Sequence, residues 1–91
     1  MKLKIGSIYY NVILKKKLKD DIWGYSDIQH CTIYILRSLS KQKRNQTLIH
    51  ECVHIMLHEA GLDDHAFNEK LVLPLGNILY GFMKDNGGII K

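Results

Sequence analysis

Apolar side chains recur at every second position through Leu3 and Ile5, and again through Ile8, Tyr10, Val12 and Leu14, with Gly6-Ser7 between the two runs. A period of two is that of a strand with one face buried, and a short glycine-containing break between two such runs predicts a hairpin. Beyond Lys15-Lys16-Lys17, the stretches Ile22–Ser26 and Cys31–Leu36 predict two more strands, with Asp27 to His30 as the polar turn between them. Residues 1–36 are thus expected to form a small three- to four-stranded, mainly antiparallel sheet.

From residue 40 onward the pattern changes to the three- and four-residue spacing of helices. Ser38 or Ser40 is available as N-cap and Gly61 as the terminating residue of a first helix over 40–60. Asp63 or Asp64 can cap a second helix over 63–86, whose apolar positions Phe67, Leu71, Leu75, Ile78, Leu79 and Phe82 are candidates for its buried face. Pro74 falls inside it and should kink or split it, because proline lacks the N–H and crowds the preceding turn. The fold class expected is α+β, one domain over residues 1–91, with the sheet packed against the first helix and the second helix closing the assembly.

Composition narrows the function classes. The chain is 46% apolar with no apolar stretch long enough to cross a bilayer, and Met1-Lys2-Leu3-Lys4 leads into an alternating pattern rather than a signal sequence, so a cytoplasmic location is expected. Two cysteines, Cys31 and Cys52, are too few for a disulfide framework and read as reduced core residues. Charge is asymmetric: residues 1–45 hold ten Lys/Arg against three Asp, residues 46–91 three Lys against six acids. The run Lys15–Lys17 with Lys19 is adjoined by Asp20 and Asp21, so a solvated loop explains it better than a nucleic-acid contact.

The segment His50-Glu51-Cys52-Val53-His54 carries the chemistry. Histidines four apart on a helix lie about 40° apart around the axis and one turn along it, so both imidazoles can reach one ion at the zinc–nitrogen distance. A glutamate directly after the first histidine projects beside the metal, where it can accept a proton from water; Glu51 has that place and is the candidate general base. By chance alone the pattern arises in on the order of one chain per hundred, so its context matters. On a helical wheel Thr47, His54, His58 and Glu51 form one polar stripe within about 40° to 100° of His50, with apolar residues on both sides. Burying such a stripe is costly unless its members are hydrogen-bonded or hold a cation.

Cys52 points roughly 160° away from His50 and is excluded as a partner ligand. The candidates for a third ligand are His58, Glu59, Asp63, Asp64, His65 and Glu69. If the chain reverses near Gly61-Leu62 into an antiparallel helix, the residue level with His54 is near Glu69. His58 continues the stripe but lies too far along a straight helix to share one tetrahedral ion, and is expected at the rim of the site. Leu57 and Ala60 occupy the places where an extended three-histidine metalloprotease motif needs glycine and histidine, which excludes that class.

The segment Gln46–His54, with Glu59-Ala60-Gly61, Glu69, Asn77, Leu79-Tyr80, Lys84-Asp85-Asn86 and the earlier Trp23-Gly24, resembles small phage- and prophage-encoded zincin-like proteins, relatives of the ImmA/IrrE-type metallopeptidases. The resemblance covers nearly the whole chain. It implies zinc held by His50, His54 and Glu69, a catalytic Glu51, and a peptide or protein substrate. His65 and Tyr80 are further candidates to donate to a developing oxyanion, although a surface position for His65 and a buried one for Tyr80 explain them as well. A substrate strand is expected to pair with an exposed sheet edge, for which residues 31–36 are the candidate. The alternative is a phage protein-binding module in which zinc is structural. Neither a membrane nor nucleic acid is an expected partner, and oligomeric state is not readable.

Overall fold

A computed structural model describes residues 1–88. It contains four strands, β1 Lys2–Ile5, β2 Ile8–Lys15, β3 Gly24–Asp27 and β4 Thr32–Leu36, followed by helices α1 Lys41–Glu59, α2 Asp63–Ala66 and α3 Glu69–Asn86. The α+β class holds. Gly6 and Ser7 both take positive φ, +58° and +74°, which is the backbone of the two-residue turn that matches the right-handed twist of a hairpin.

The sheet order is β1-β2-β4-β3. Its two hairpins, β1–β2 and β3–β4, are antiparallel, but they join through a parallel pairing of β2 with β4 that sets Asn11 beside Thr32 and Lys15 beside Leu36. Residues 31–36 are therefore not an exposed edge, as expected from sequence; β4 is central, β1 and β3 are the edges, and Cys31 precedes the strand. The reason is the connection over 16–23. It is long enough to carry the chain across β4's place in the sheet before β3 turns back to fill it.

One face of the sheet meets α1. Ile5, Tyr10, Ile33 and Ile35 from the strands close on Cys52 and Ile55 of the helix, with Leu3, Val12 and Leu48 packed around them. Ile33, Ile35 and Ile55 are wholly removed from water; burying one such side chain contributes about 1.5–3 kcal/mol. At the far end of α1 the Tyr10 hydroxyl donates to Glu59 Oε2 at 2.7 Å, tying the helix to the hairpin. Ser40 caps α1 by accepting from the Lys43 amide, and Gly61 follows its end with φ +81°, as the pattern predicts.

The second helical region departs from its expected outline. The break falls at Phe67-Asn68, where Asn68 caps α3 by accepting from the Lys70 amide, and α3 then runs through Pro74. Asp63 and Asp64 lie in the first turn of α2 instead of capping a long helix. Pro74 and Lys70 are both exposed, so the carbonyl that loses its helical donor at the proline lies on a solvent-facing stretch of α3. The buried positions of α3 are Val72 and Gly76, whereas Phe67, Leu71, Leu75, Ile78 and Phe82 are exposed. With α1 as its main neighbour, α3 can bury one narrow stripe, and Gly76 marks it, since a Cβ there would stand 3.5 Å from the His50 Cα. Met56 likewise faces outward from α1.

Candidate metal centre

α1 presents His50, Glu51 and His54 on the side where the edge strand β3 and the start of α3 converge. One donor atom from each of these three residues lies within 4.8 Å of the others, close enough to hold a single metal ion. Glu69, the first residue of α3, reaches across to both imidazoles: its Oε2 is 3.1 Å from His50 Nε2 and its Oε1 is 2.8 Å from His54 Nε2. The two rings stand edge to face with centroids 5.0 Å apart.

The surroundings of His54 decide what its Nε2 can do. The ring is buried and stacked on Phe67 at 5.0 Å, and its Nδ1 lies 2.5 Å from the Ala66 carbonyl oxygen. A carbonyl only accepts, so Nδ1 carries the proton and Nε2 of the neutral ring presents a lone pair. That lone pair faces a carboxylate oxygen, an arrangement that is repulsive unless a proton or a cation lies between the two. Imidazole nitrogens and a carboxylate form a donor set that zinc accepts, and a ligating histidine usually gives its other ring N–H to a carbonyl in this way. The residues present therefore fit a divalent metal.

Glu51, the carboxylate of this cluster on α1, is buried. Ser26 Oγ on β3 donates to its Oε1 at 2.7 Å and also lies 3.1 Å from its backbone carbonyl. Burial pushes the Glu51 carboxyl above the usual carboxylate range; the Ser26 hydrogen bond and the two histidines oppose this, and Glu69 adds to it. The result is a carboxylate with heightened proton affinity. Gly24 makes room for it, because a Cβ there would stand 2.6 Å from Thr47 Cγ2 and 3.2 Å from Glu51 Cγ.

A recess of about 290 Å³ opens over His50, Glu51, His54 and Glu69, walled by β3 and Phe67. A second, of about 350 Å³, shares Gly24, His50 and Glu51 and continues past Trp23 and Leu73 to Asn77, whose side chain meets Gln46. Together they form a groove along the free edge of β3. Trp23 O accepts from Leu36 N, and by the alternation of antiparallel pairing Tyr25 and Asp27 also face β4. Gly24 and Ser26 thus turn their amides and carbonyls outward into the groove.

The other singled-out residues lie elsewhere. His58 pairs through Nδ1 with Asp63, tying α1 to α2 outside the recess. His65 is exposed on α2, and Tyr80 lines a separate hollow with Leu48, Ile49 and Met83 on another side of α1; neither borders the groove. Glu59 is engaged by Tyr10. Ser26 and Ala66 carry no signal in the sequence, Gly24 enters only beside Trp23 in the resemblance, and Phe67 only as an apolar position of the second helix. No protein-family model, curated protein or solved structure matches the chain. Among the described residues no helix is long and apolar enough to cross a membrane.

Proposed function

We propose that the protein is a zinc-dependent peptidase in which His50, His54 and Glu69 hold the metal and Glu51 is the general base. The observation that carries the reading is the facing of the His50 and His54 Nε2 atoms onto one carboxylate, with the His54 proton fixed on its other nitrogen. Glu69 is assigned as ligand over Glu51 because its two oxygens face the Nε2 atoms of both imidazoles, whereas Ser26 holds Glu51 to one side.

Zinc, when bound, supplies Lewis acidity toward water and a peptide carbonyl. Glu51 removes a proton from the attacking water, whose oxygen adds to the scissile carbonyl. The same carboxyl then gives that proton to the amine as the C–N bond breaks. Its raised proton affinity suits both transfers. Ser26 keeps the carboxylate aimed, and Phe67 and Ala66 keep the His54 ring from turning. An extended peptide adds to the outward-facing backbone of Gly24 and Ser26, which replaces residues 31–36 as the edge for strand addition. This chemistry agrees with the resemblance to ImmA/IrrE-type metallopeptidases.

Glu51→Gln tests the reading. The variant is expected to bind one zinc per chain and to lose cleavage of a peptide-library substrate by at least about a thousandfold. A variant that keeps both zinc and the biological activity of the parent would make the metal structural and the protein a binding module.

A further inference from the structure

The helices pack on one face of the sheet. The other face is open, and the strand register fixes what it displays. Ile33, Ile35, Tyr10 and Ser26 point toward α1, so Tyr9, Asn11, Ile13 and Lys15 of β2, Tyr34 of β4, Tyr25 of β3 and Lys2 and Lys4 of β1 point away. The parallel β2–β4 register places Ile13 beside Tyr34, and the β3–β4 register places Tyr34 beside Tyr25. A row of apolar and aromatic side chains therefore crosses three strands, with Tyr9 about 13 Å further along β2.

These rings are available. Tyr9 is 61% and Tyr25 51% exposed, and Tyr25 and Tyr34 lie nearly parallel, 21° apart with centroids at 6.3 Å. Cations rest over two of them: Lys4 Nζ stands over the Tyr9 ring at 5.2 Å and Lys15 Nζ over that of Tyr34 at 5.5 Å, so a base stacking on these faces displaces a flexible lysine head toward its phosphate. Asp27 is the only acidic residue in the four strands, and His30 engages its carboxylate at 2.9 Å. The platform is consequently positive and aromatic at once.

We propose that this open face binds single-stranded nucleic acid, with bases stacking on Tyr9, Tyr25 and Tyr34 and phosphates meeting Lys2, Lys4 and Lys15. Flat exposed rings on a sheet receive unpaired bases irrespective of sequence, and lysines beside them neutralise the backbone that links those bases. An acidic peptide would satisfy the lysines but leave the ring faces unused, and a duplex keeps its bases stacked inside. The site lies on the opposite face of the sheet from α1, touches the recess over His50 only at Tyr25, and does not depend on catalysis.

Fluorescence anisotropy of a labelled oligothymidylate of roughly twelve nucleotides, titrated with the full chain, tests the proposal. With three phosphate contacts, affinity should fall about twentyfold between roughly 50 and 200 mM salt. Tyr9→Ala and Tyr25→Ala should each weaken binding about tenfold, while Tyr9→Phe and Tyr25→Phe stay near the parent. Lys15→Ala should lower the salt slope by about 0.7. Glu51→Gln should bind as the parent does. Far-UV circular dichroism separates misfolding from lost stacking, and the phenylalanine and lysine variants carry the test if an alanine variant unfolds. Absence of binding at low salt would overturn the proposal. So would equal affinity for a duplex or for polyglutamate, or loss confined to Lys16→Ala and Lys17→Ala with the tyrosine variants unaffected.

Discussion

Ser26 on the edge strand and Glu51 on α1 are joined by a 2.7 Å hydrogen bond between side chains that are both buried. The bond fixes the carboxylate that the proposed reaction needs and attaches β3 to α1 at the same point. Ser26→Ala leaves a Glu51 oxygen without its donor inside the protein, which costs about 1–3 kcal/mol. Urea unfolding should show that loss, and peptide cleavage should fall while zinc stoichiometry stays at one.

Gly24→Ala should be more disruptive than its size suggests. The added methyl would enter a space 2.6 Å from Thr47 Cγ2, and overpacking of this kind costs about 1–3 kcal/mol. Pairing it with Thr47→Ser, which removes that methyl, should recover much of the loss. A double-mutant cycle by urea denaturation checks the coupling, and strict additivity would mean that the two side chains do not compete for one space.

Glu69→Ala should weaken zinc affinity at least about tenfold, measured by competition with a chromophoric chelator. Unchanged affinity would remove Glu69 from the donor set. Because the metal binds the folded chain, excess chelator should lower the melting temperature of the parent, and by less in the variant.

Tyr10 gives a pH dependence remote from the metal. Burial, reinforced by its hydrogen bond and proximity to Glu59, pushes its phenol well above the usual tyrosine value. The folded state then holds the proton more tightly than the unfolded chain, so this stabilisation is complete below about pH 10 and is lost as pH rises beyond it. The stability advantage of the parent over Tyr10→Phe should therefore hold steady up to about pH 9 and shrink above about pH 10, as followed by urea midpoints.

Elements marked by a local period together with turn or capping residues are legible in the sequence. The hairpin around Gly6-Ser7 and the helix from Ser40 to Gly61 are of this kind, and the spacing of His50, Glu51 and His54 carried the metal hypothesis with it. Pairing across distant segments was not readable. Nothing in the alternation of Val12 or Ile33 says that β2 and β4 run parallel, so residues 31–36 pass for a candidate edge when β4 is central and β1 and β3 are the edges. Apolar spacing in α3 also misled, because Leu71, Leu75 and Ile78 satisfy a helical period while the neighbouring Val72 and Gly76 take the buried side. Small residues such as Gly24 and Ser26 give weak signals in sequence, since their importance lies in how closely something else approaches them.

The turn between α2 and α3 holds two grips on a single ring. Ala66 O fixes one nitrogen of His54, and Glu69, three residues later, faces the other. Any excursion that lifts this corner frees the ring to rotate and withdraws the facing oxygen in one motion. The lifetime of a captured ion is then set by how often that corner opens, and amide exchange at residues 66–69 should keep pace with ion escape.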